Sequence, residues 1–340
     1  MFQKMSHEIY YIGAFPPPYG GVTVKNKNLY HELCKHLTIR GIDLIRIKRG
    51  DLKEILRCVW AMLTGRQYVV AVSSRANRRT FTRILYWLKR NVMRRSVLIV
   101  MGGVVDDVID AGANFLQMLN TYRKVYVELP EMQEKLEAAG VCNVAIYPNG
   151  RPRPDALPDP TVDNKPLNCV FFSTVQPEKG VDLILQAAHM LPQMQFHFYG
   201  EISQYYQQEF NAAIQLTDNA VYHGVFTGGA DAVYRELGQY DVILLPTRWG
   251  TEGIPGILIE AKIASVPAIV SRNVKKEIVR HDYDGIVMQD ITESELISAL
   301  EELDKNREKL LEMKFSAKAS AEKFYIDVCA QNIISCIQER

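Results

Sequence analysis

The chain has 340 residues, 47% hydrophobic and 23% charged, values that exclude a disordered chain or a collagen-like fibre and whose length suggests two domains of about 150 residues each. No apolar run reaches the roughly 18–20 residues that cross a bilayer, and the six cysteines form no C-x-x-C or His-paired zinc spacing, so a disulfide framework or structural zinc is not expected. The net charge of +1 conceals an asymmetry: residues 1–150 carry 22 Lys and Arg against 12 Asp and Glu, residues 151–340 carry 18 against 27, and Lys25–Arg95 alone carry 18 against 4.

The first residues lack a signal peptide's basic start, apolar middle and small-residue cleavage site, so a cytoplasmic location is expected. In chain order, Ile9–Ile12 reads as a short buried strand ending in Gly13, followed by a loop and a helix from about Val24 to Leu37. Leu44–Ile47 is the next predicted strand. Tyr68–Val72 and Val97–Val100 are near-continuous β-branched runs of the kind parallel sheets use. Val125–Val127 and Val144–Tyr147 complete the first set. Prolines at 148, 152, 154, 158, 160 and 166 mark a linker over 151–166. Beyond it the predicted strands are Asn168–Phe172, Gln195–Tyr199, Val221–His223, Val242–Leu245 and Pro267–Val270, with helices between them and one or two more over 305–340. Alternating strands and helices imply two doubly wound α/β domains, 1–150 and 167–315, whose ligands bind beyond the carboxyl ends of the strands. A cleft between the two is the expected site.

Three loops after strand ends carry the chemistry. The first, Phe15–Thr23, holds Gly20 and Gly21, which let a ligand approach the backbone just ahead of a helix N-terminus. It is not the G-x-G-x-x-G dinucleotide fingerprint. The second, Val175–Gly180, sets Lys179 before a helix start, a position favourable for phosphate. The third runs from Leu245 to Ala261 and contains Arg248, Glu252, Gly253, Ile254, Pro255, Gly256, Ile257, Leu258 and Glu260. Pro255 suits a first helical turn, and the free N–H groups that follow can hold a diphosphate. A carboxylate accepts from two neighbouring hydroxyls at once, so Glu260 suits a ribose diol and Glu252 a sugar. A helix cap at Glu252 and a surface role for Glu260 are the plainer alternatives.

The sequence resembles the retaining GT-B fold glycosyltransferases of family GT4, the glycosyl transferases group 1. The family's E-G-x-P-x-x-x-x-E-A pattern stands here as Glu252-Gly253-Ile254-Pro255 with Glu260-Ala261, followed by Ser265-Val266-Pro267. Glu178–Asp182, Gly200, His223-Gly224-Val225, Pro148-Asn149-Gly150 and Gly20-Gly21-Val22 also fit its order and spacing, so the likeness covers nearly the whole chain. The resemblance implies a metal-independent enzyme without cofactor that moves a hexosyl or N-acetylhexosaminyl group from a UDP- or GDP-sugar to an acceptor hydroxyl with retention. It implies that Lys179 neutralises the donor diphosphate and Glu252 contacts the donor sugar. Amides from Gly253 to Leu258 would hold hydroxyls and phosphate, and Glu260 the ribose. Gly200-Glu201 and His223 to Val225 would frame the base, and Gly20 and Gly21 would close over the phosphates from the other domain. The residues 316–340 would form a helix that crosses back to the first domain.

Three departures stand out. Thr174 occupies the place of the family's arginine, so either Arg248 supplies the charge from the adjacent loop or donor binding is weaker. Ser265 replaces the glycine of the A-x-G-x-P segment. Many members carry a His after the fourth strand, where this chain has Met101-Gly102-Gly103-Val104-Val105-Asp106, leaving Asp106 as the first-domain candidate. The acidic runs Asp106-Asp107 and Asp282-Tyr283-Asp284 are read as surface or loop residues rather than a metal-binding D-x-D.

The basic first half attracts phosphate-rich partners. Thr80–Arg95 reads as a basic amphipathic helix with Phe81, Ile84, Leu85, Leu88 and Val92 on one face, and Leu52–Leu63, with Trp60, as a second apolar candidate. Either could equally be the core face of a helix covering a sheet. A lipid-linked glycan acceptor in bacterial cell-surface polysaccharide synthesis, met peripherally at an anionic membrane, is the expected partner. No RNA- or DNA-binding motif accompanies the basic stretch, so nucleic acid is not expected. A catalytically dead GT-B module that binds sugar nucleotides, and a nucleic-acid-binding protein using the basic half, are the rival readings.

Overall fold

A computed structural model describes residues 8–18, 20–102, 105–163, 165–250 and 253–339. The chain divides into two compact units, one of Met1–Arg153 with Phe324–Arg340, the other of Pro154–Lys323.

The first unit is built on six parallel strands: β1 (Ile9–Gly13), β2 (Ile39–Asp43), β3 (Gln67–Val72), β4 (Val97–Val100), β5 (Lys124–Val127) and β6 (Val144–Ile146). Their order is β2-β1-β3-β4-β5-β6. Every residue of β1, β3 and β4 is buried, which is why these strands read as unbroken apolar runs rather than alternating ones. The chain reverses direction across the sheet between β1 and β3, so the Gly20-Gly21 loop leaves the sheet at that switch point.

Two sequence expectations fail here. The second strand lies at Ile39–Asp43, and Leu44–Lys48 is a short helix. Asp43 decides this: its carboxylate accepts the Ile45 N–H at 2.9 Å and caps the helix before Leu-Ile-Arg-Ile can extend. The Thr80–Arg95 helix is two helices, Arg75–Leu88 and Arg90–Met93, broken at Lys89. Phe81 and Leu85 are buried, so most of its apolar face serves the core, while Leu88 and Trp87 stay exposed.

The last residues of the chain finish this unit. Ile326, Ile333, Ile334 and Ile337, on the helices Ile326–Cys329 and Gln331–Gln338, join one core with Tyr11, Val69, Ile99 and Tyr126. The Gln67 amide donates to the Ile337 carbonyl at 3.0 Å, and the Tyr126 hydroxyl to that of Asn332 at 3.0 Å. A buried ion pair joins Lys25 to Glu128 at 2.5 Å, and Glu128 also accepts the Gly102 N–H at 2.8 Å. Burial lowers the Lys25 pKa, against the pull of Glu128.

The second unit has its own six parallel strands: β7 (Asn168–Phe172), β8 (Gln195–Tyr199), β9 (Ala220–Tyr222), β10 (Val242–Leu245), β11 (Ala268–Ser271) and β12 (Gly285–Met288), in the order β12-β11-β10-β7-β8-β9. The sequence pattern missed β12. Its four residues begin with a glycine and follow directly on a turn in which Asp282 has a positive φ of 57°, so no unbroken apolar run marks them. Asp284, read as a surface or loop residue, lies in the turn before β12 but is buried there and faces Lys262 at 2.7 Å. Burial brings the Lys262 pKa down to about 8 even beside that carboxylate.

Candidate functional site

The switch point of the second sheet lies between β7 and β10, its two central strands. The two loops singled out in the sequence leave from those strands and are stitched together. The Arg248 N–H donates to the Glu178 carbonyl at 2.8 Å, and the Thr247 hydroxyl to the same oxygen at 3.1 Å. Gly180 has φ +79°, and a Cβ there would meet the Pro246 carbonyl oxygen at 2.4 Å. Glycine is required at this crossing for both conformation and space. Gly180 starts the helix Val181–Met190, and Lys179 precedes it, half-buried, with its ammonium 5.7 Å from the centre of the Trp249 ring.

Arg248 is exposed and grips Asp182 with both terminal nitrogens, at 2.6 and 2.8 Å, and the Pro177 carbonyl at 2.6 Å. The hydrogen bonds to Asp182 hold its pKa above the ordinary value. The Thr247 carbonyl accepts from the Ser271 hydroxyl at 2.5 Å and the Asn273 amide at 3.1 Å, which braces the β10 loop from β11.

Gly253, Ile254 and Pro255 lead into the helix Gly256–Ile263, with Pro255 as the residue just before it rather than in its first turn. Leu258 N–H donates to the Pro255 carbonyl at 3.1 Å. By helix geometry the amides of Gly256 and Ile257 have no acceptor within the helix. Glu260 lies one turn further, half-buried, on the Gly256–Ile257 face, and helical side chains lean toward the N-terminus. Leu258, Ile259, Ala261 and Ile263 fill the core behind. Glu252 lies outside the described residues.

On the β8–β9 side, Gly200 has φ +136°, and a Cβ there would fall 1.8 Å from the Ser173 carbonyl oxygen. The Gly200 N–H donates to the Gly224 carbonyl at 2.9 Å, and Val175 N–H to that of Glu201 at 2.8 Å. Glu201, His223 and Val225 are exposed around this contact. Behind them stands an aromatic wall that the sequence reading passed over. Tyr199 stacks on Phe172 at 4.8 Å and on His223 at 4.6 Å, and Phe226 meets Phe172 edge-on. Parallel strands put residues at the same sheet height side by side, so aromatic residues closing Asn168–Phe172 and Gln195–Tyr199 were the available signal. His197 Nδ1 lies 2.8 Å from His223 Nε2.

The first-unit candidates sit apart from this set in the sequence and in their own unit. Gly20 and Gly21, exposed, open the helix Gly21–His36, and the Thr23 hydroxyl accepts the Gly20 N–H at 3.0 Å. Asp106 starts a four-residue helix, is exposed, and lies 3.4 Å from Lys135. Among the described residues no group of three His, Cys, Asp or Glu could hold a metal ion, and no helix is long and apolar enough to cross a membrane.

No curated protein sequence matches the chain. Residues 166–306 match the family described as glycosyl transferases group 1. Among solved structures, HepE of Anabaena, in complex with UDP and glucose, is similar at TM-score 0.71 and 13% identity, over 97% of this chain and 98% of that one. Sucrose-phosphate synthase of Thermosynechococcus elongatus is similar at TM-score 0.70 and 13% identity, over 96% and 97%. The lipopolysaccharide outer core galactosyltransferase WaaB, in its apo form, is similar at TM-score 0.68 and 12% identity, over 97% and 99%. At such identities the structural likeness speaks to the fold. Two doubly wound parallel sheets, the group 1 match over residues 166–306 and these neighbours agree: the chain has the GT-B fold and carries a glycosyl transferases group 1 domain in its second unit.

Proposed function

We propose that the chain is a retaining, GT4-type enzyme that transfers a sugar from a nucleoside diphosphate sugar to an acceptor hydroxyl. The observation that carries this reading is the meeting of the β7 and β10 loops at the switch point of the second sheet, with Lys179 and the N-terminus of the helix Gly256–Ile263 on them. Positive charge and oriented N–H groups there stabilise a departing diphosphate, which is the main electrostatic demand of the reaction. Lys179 faces the diphosphate, Glu260 accepts from the ribose diol, and Glu252 positions the donor sugar. The loops at Gly200-Glu201 and His223 to Val225 frame the base. Arg248, gripped by Asp182, acts as the strut between the two phosphate loops. No divalent metal takes part in this reading, and the leaving phosphate oxygen accepts the acceptor's proton. A covalent sugar trapped on a side chain would overturn that step.

UDP is present in the HepE structure named above, which favours a uridine donor. A lipid-linked glycan in bacterial surface-polysaccharide synthesis is the proposed acceptor, reached at the inner face of the membrane. A thermal-shift screen of UDP, GDP, ADP and CDP without added metal tests the donor site. UDP is expected to stabilise the protein. Glu260→Ala and Lys179→Ala should each weaken its binding about tenfold to a hundredfold, the worth of a charge-assisted hydrogen bond. A second reading, a sugar-nucleotide-binding module without turnover, is favoured by Thr174 in place of an arginine and by the engagement of Arg248 with Asp182. A nucleotide shift without transfer to any acceptor would support it.

A further inference from the structure

The helix Leu52–Thr64 of the first unit is turned inside out. Its apolar side chains Leu52, Leu56, Val59, Trp60 and Leu63 recur at the spacing of one helical face. All five are exposed, from 52% at Val59 to 73% at Leu52. The buried side carries Glu54 and Ala61. Glu54 is held there by polar contacts: its carboxylate accepts the Asp43 N–H at 2.9 Å and pairs with Arg57 at 2.8 Å. Packing has therefore set Glu54 and Ala61 against the protein and left the apolar stripe outside, with Lys53 and Arg57 beside it.

The apolar face does not end with this helix. The Lys89 ammonium donates to the Leu63 carbonyl at 2.8 Å and to that of Gly65 at 2.9 Å. That contact brings the exposed Trp87 and Leu88, at the end of Arg75–Leu88, to the C-terminal end of the first helix. Beside the stripe, a groove of about 460 Å³ is lined by Tyr10, Ile42, Leu56, Val59, Trp60 and Leu63. Two of the three tryptophans of the chain lie on this one surface.

Its surroundings are mainly cationic, although Glu8 pairs with Arg40 at the groove. Between Glu54 and Asp106 the sequence contains no acidic residue and ten Lys and Arg. Lys53, Arg57, Arg66, Arg83 and Arg90 are exposed around the apolar stripe. A soluble surface rarely leaves so continuous an apolar stripe to water without a partner for it. A second copy of the chain is a poor occupant, because a two-fold interface would bring one cationic rim against the other. An apolar strip with tryptophan and a cationic border matches the interfacial zone of a bilayer with anionic headgroups.

We propose that the first unit docks on an anionic lipid bilayer through the outward face of the helix Leu52–Thr64 together with Trp87 and Leu88. The groove beside Trp60 accepts one acyl chain of that lipid. This names the surface for the membrane location proposed above, but it stands on the helix and its charges and not on the donor site.

The test is flotation of the full chain with vesicles of phosphatidylglycerol and phosphatidylcholine, with tryptophan quenching by bromine-labelled acyl chains. Binding and quenching are expected with the anionic vesicles, falling steeply with salt and absent from pure phosphatidylcholine. Trp60→Ser combined with Leu63→Ser should lower partitioning about tenfold or more, because both side chains are already exposed and no core contact is lost. Arg66→Glu combined with Arg90→Glu should do the same. In each variant the UDP-induced thermal shift should persist, so failure of docking and failure of the donor reading are separable. Absence of flotation with anionic vesicles would overturn the proposal. So would equal flotation of wild type and variants, or a dimer in light scattering that Trp60→Ser with Leu63→Ser dissolves. Retention on single-stranded RNA or DNA in place of vesicles would assign the cationic rim to nucleic acid and overturn it as well.

Discussion

Ser265 shows how a single substitution from the family pattern reads once its backbone is known. It has φ +63°, the left-handed region where a Cβ is penalised and glycine is not. Its hydroxyl is buried and, among the described residues, has no hydrogen-bond partner. Glycine at this place removes both costs at the price of some unfolded-chain freedom. Ser265→Gly is expected to raise stability by about 1 kcal/mol, measured as a shift of the urea midpoint at unchanged slope. The opposite shift would mean that the loop before β11 needs the side chain. Sequence alone marked the position as different but not its direction, because the sign of φ is set by how Ile263 leads into Pro267. Thr174 is the complementary case: its consequence was visible in sequence as a missing charge, and the proposed substitute, Arg248, is tied to Asp182 by two hydrogen bonds.

At the scale of elements, the strand ends carry a histidine titration. His197 on β8 stands against His223 beyond β9, at 2.8 Å between ring nitrogens. Burial first, and then the charge of His223, lowers the His197 pKa from 6.5, while Glu236 opposes the shift. A lowered pKa in the fold means that the unfolded chain takes up the proton more readily. Stability is therefore lost as pH falls from about 6.5 toward the depressed value, and is regained as it rises. His197→Gln should flatten this part of the pH–stability profile, followed by denaturant unfolding between pH 7.5 and pH 5; an unchanged profile would assign the dependence elsewhere. The strands themselves were legible because parallel sheets covered on both faces write unbroken apolar runs, as in Val97–Val100 and Val242–Leu245. The two loops proposed to hold the diphosphate were legible because glycine and proline punctuate them. What escaped the pattern depended on contacts distant in sequence. The Asp43 cap moved β2, and the inverted helix at Leu52–Thr64 shows the same hydrophobic spacing whichever way it faces. The aromatic wall at Phe172, Tyr199 and Phe226 is assembled from three separate loops and strands.

At the scale of the molecule, the second unit is one unbroken stretch, whereas the first is closed by residues from the far end of the chain. Removing everything after Lys323 takes Ile326, Ile333, Ile334 and Ile337 out of the first unit's core, deprives Tyr126 of the Asn332 carbonyl and leaves Gln67 with the Arg95 carbonyl alone. The cost of losing several buried aliphatic side chains, about 2–5 kcal/mol each when truncated to a small residue, exceeds the stability of an ordinary domain. Such a truncated chain should lose hydrogen-exchange protection throughout β1 to β6 while β7 to β12 stay protected; protection across both sheets would show that the closing segment is dispensable. The same discontinuity governs the order in which the protein can be made. Synthesis runs through the whole of the second unit while the first, translated earlier, still lacks the strip that seals its sheet. The unit translated first must wait, unfinished, for the residues after Lys323, and it is the unit that carries the apolar, cationic helix. Nascent chains stalled before residue 324 should therefore bind chaperones through their N-terminal half, and release them once the final helix has cleared the ribosome.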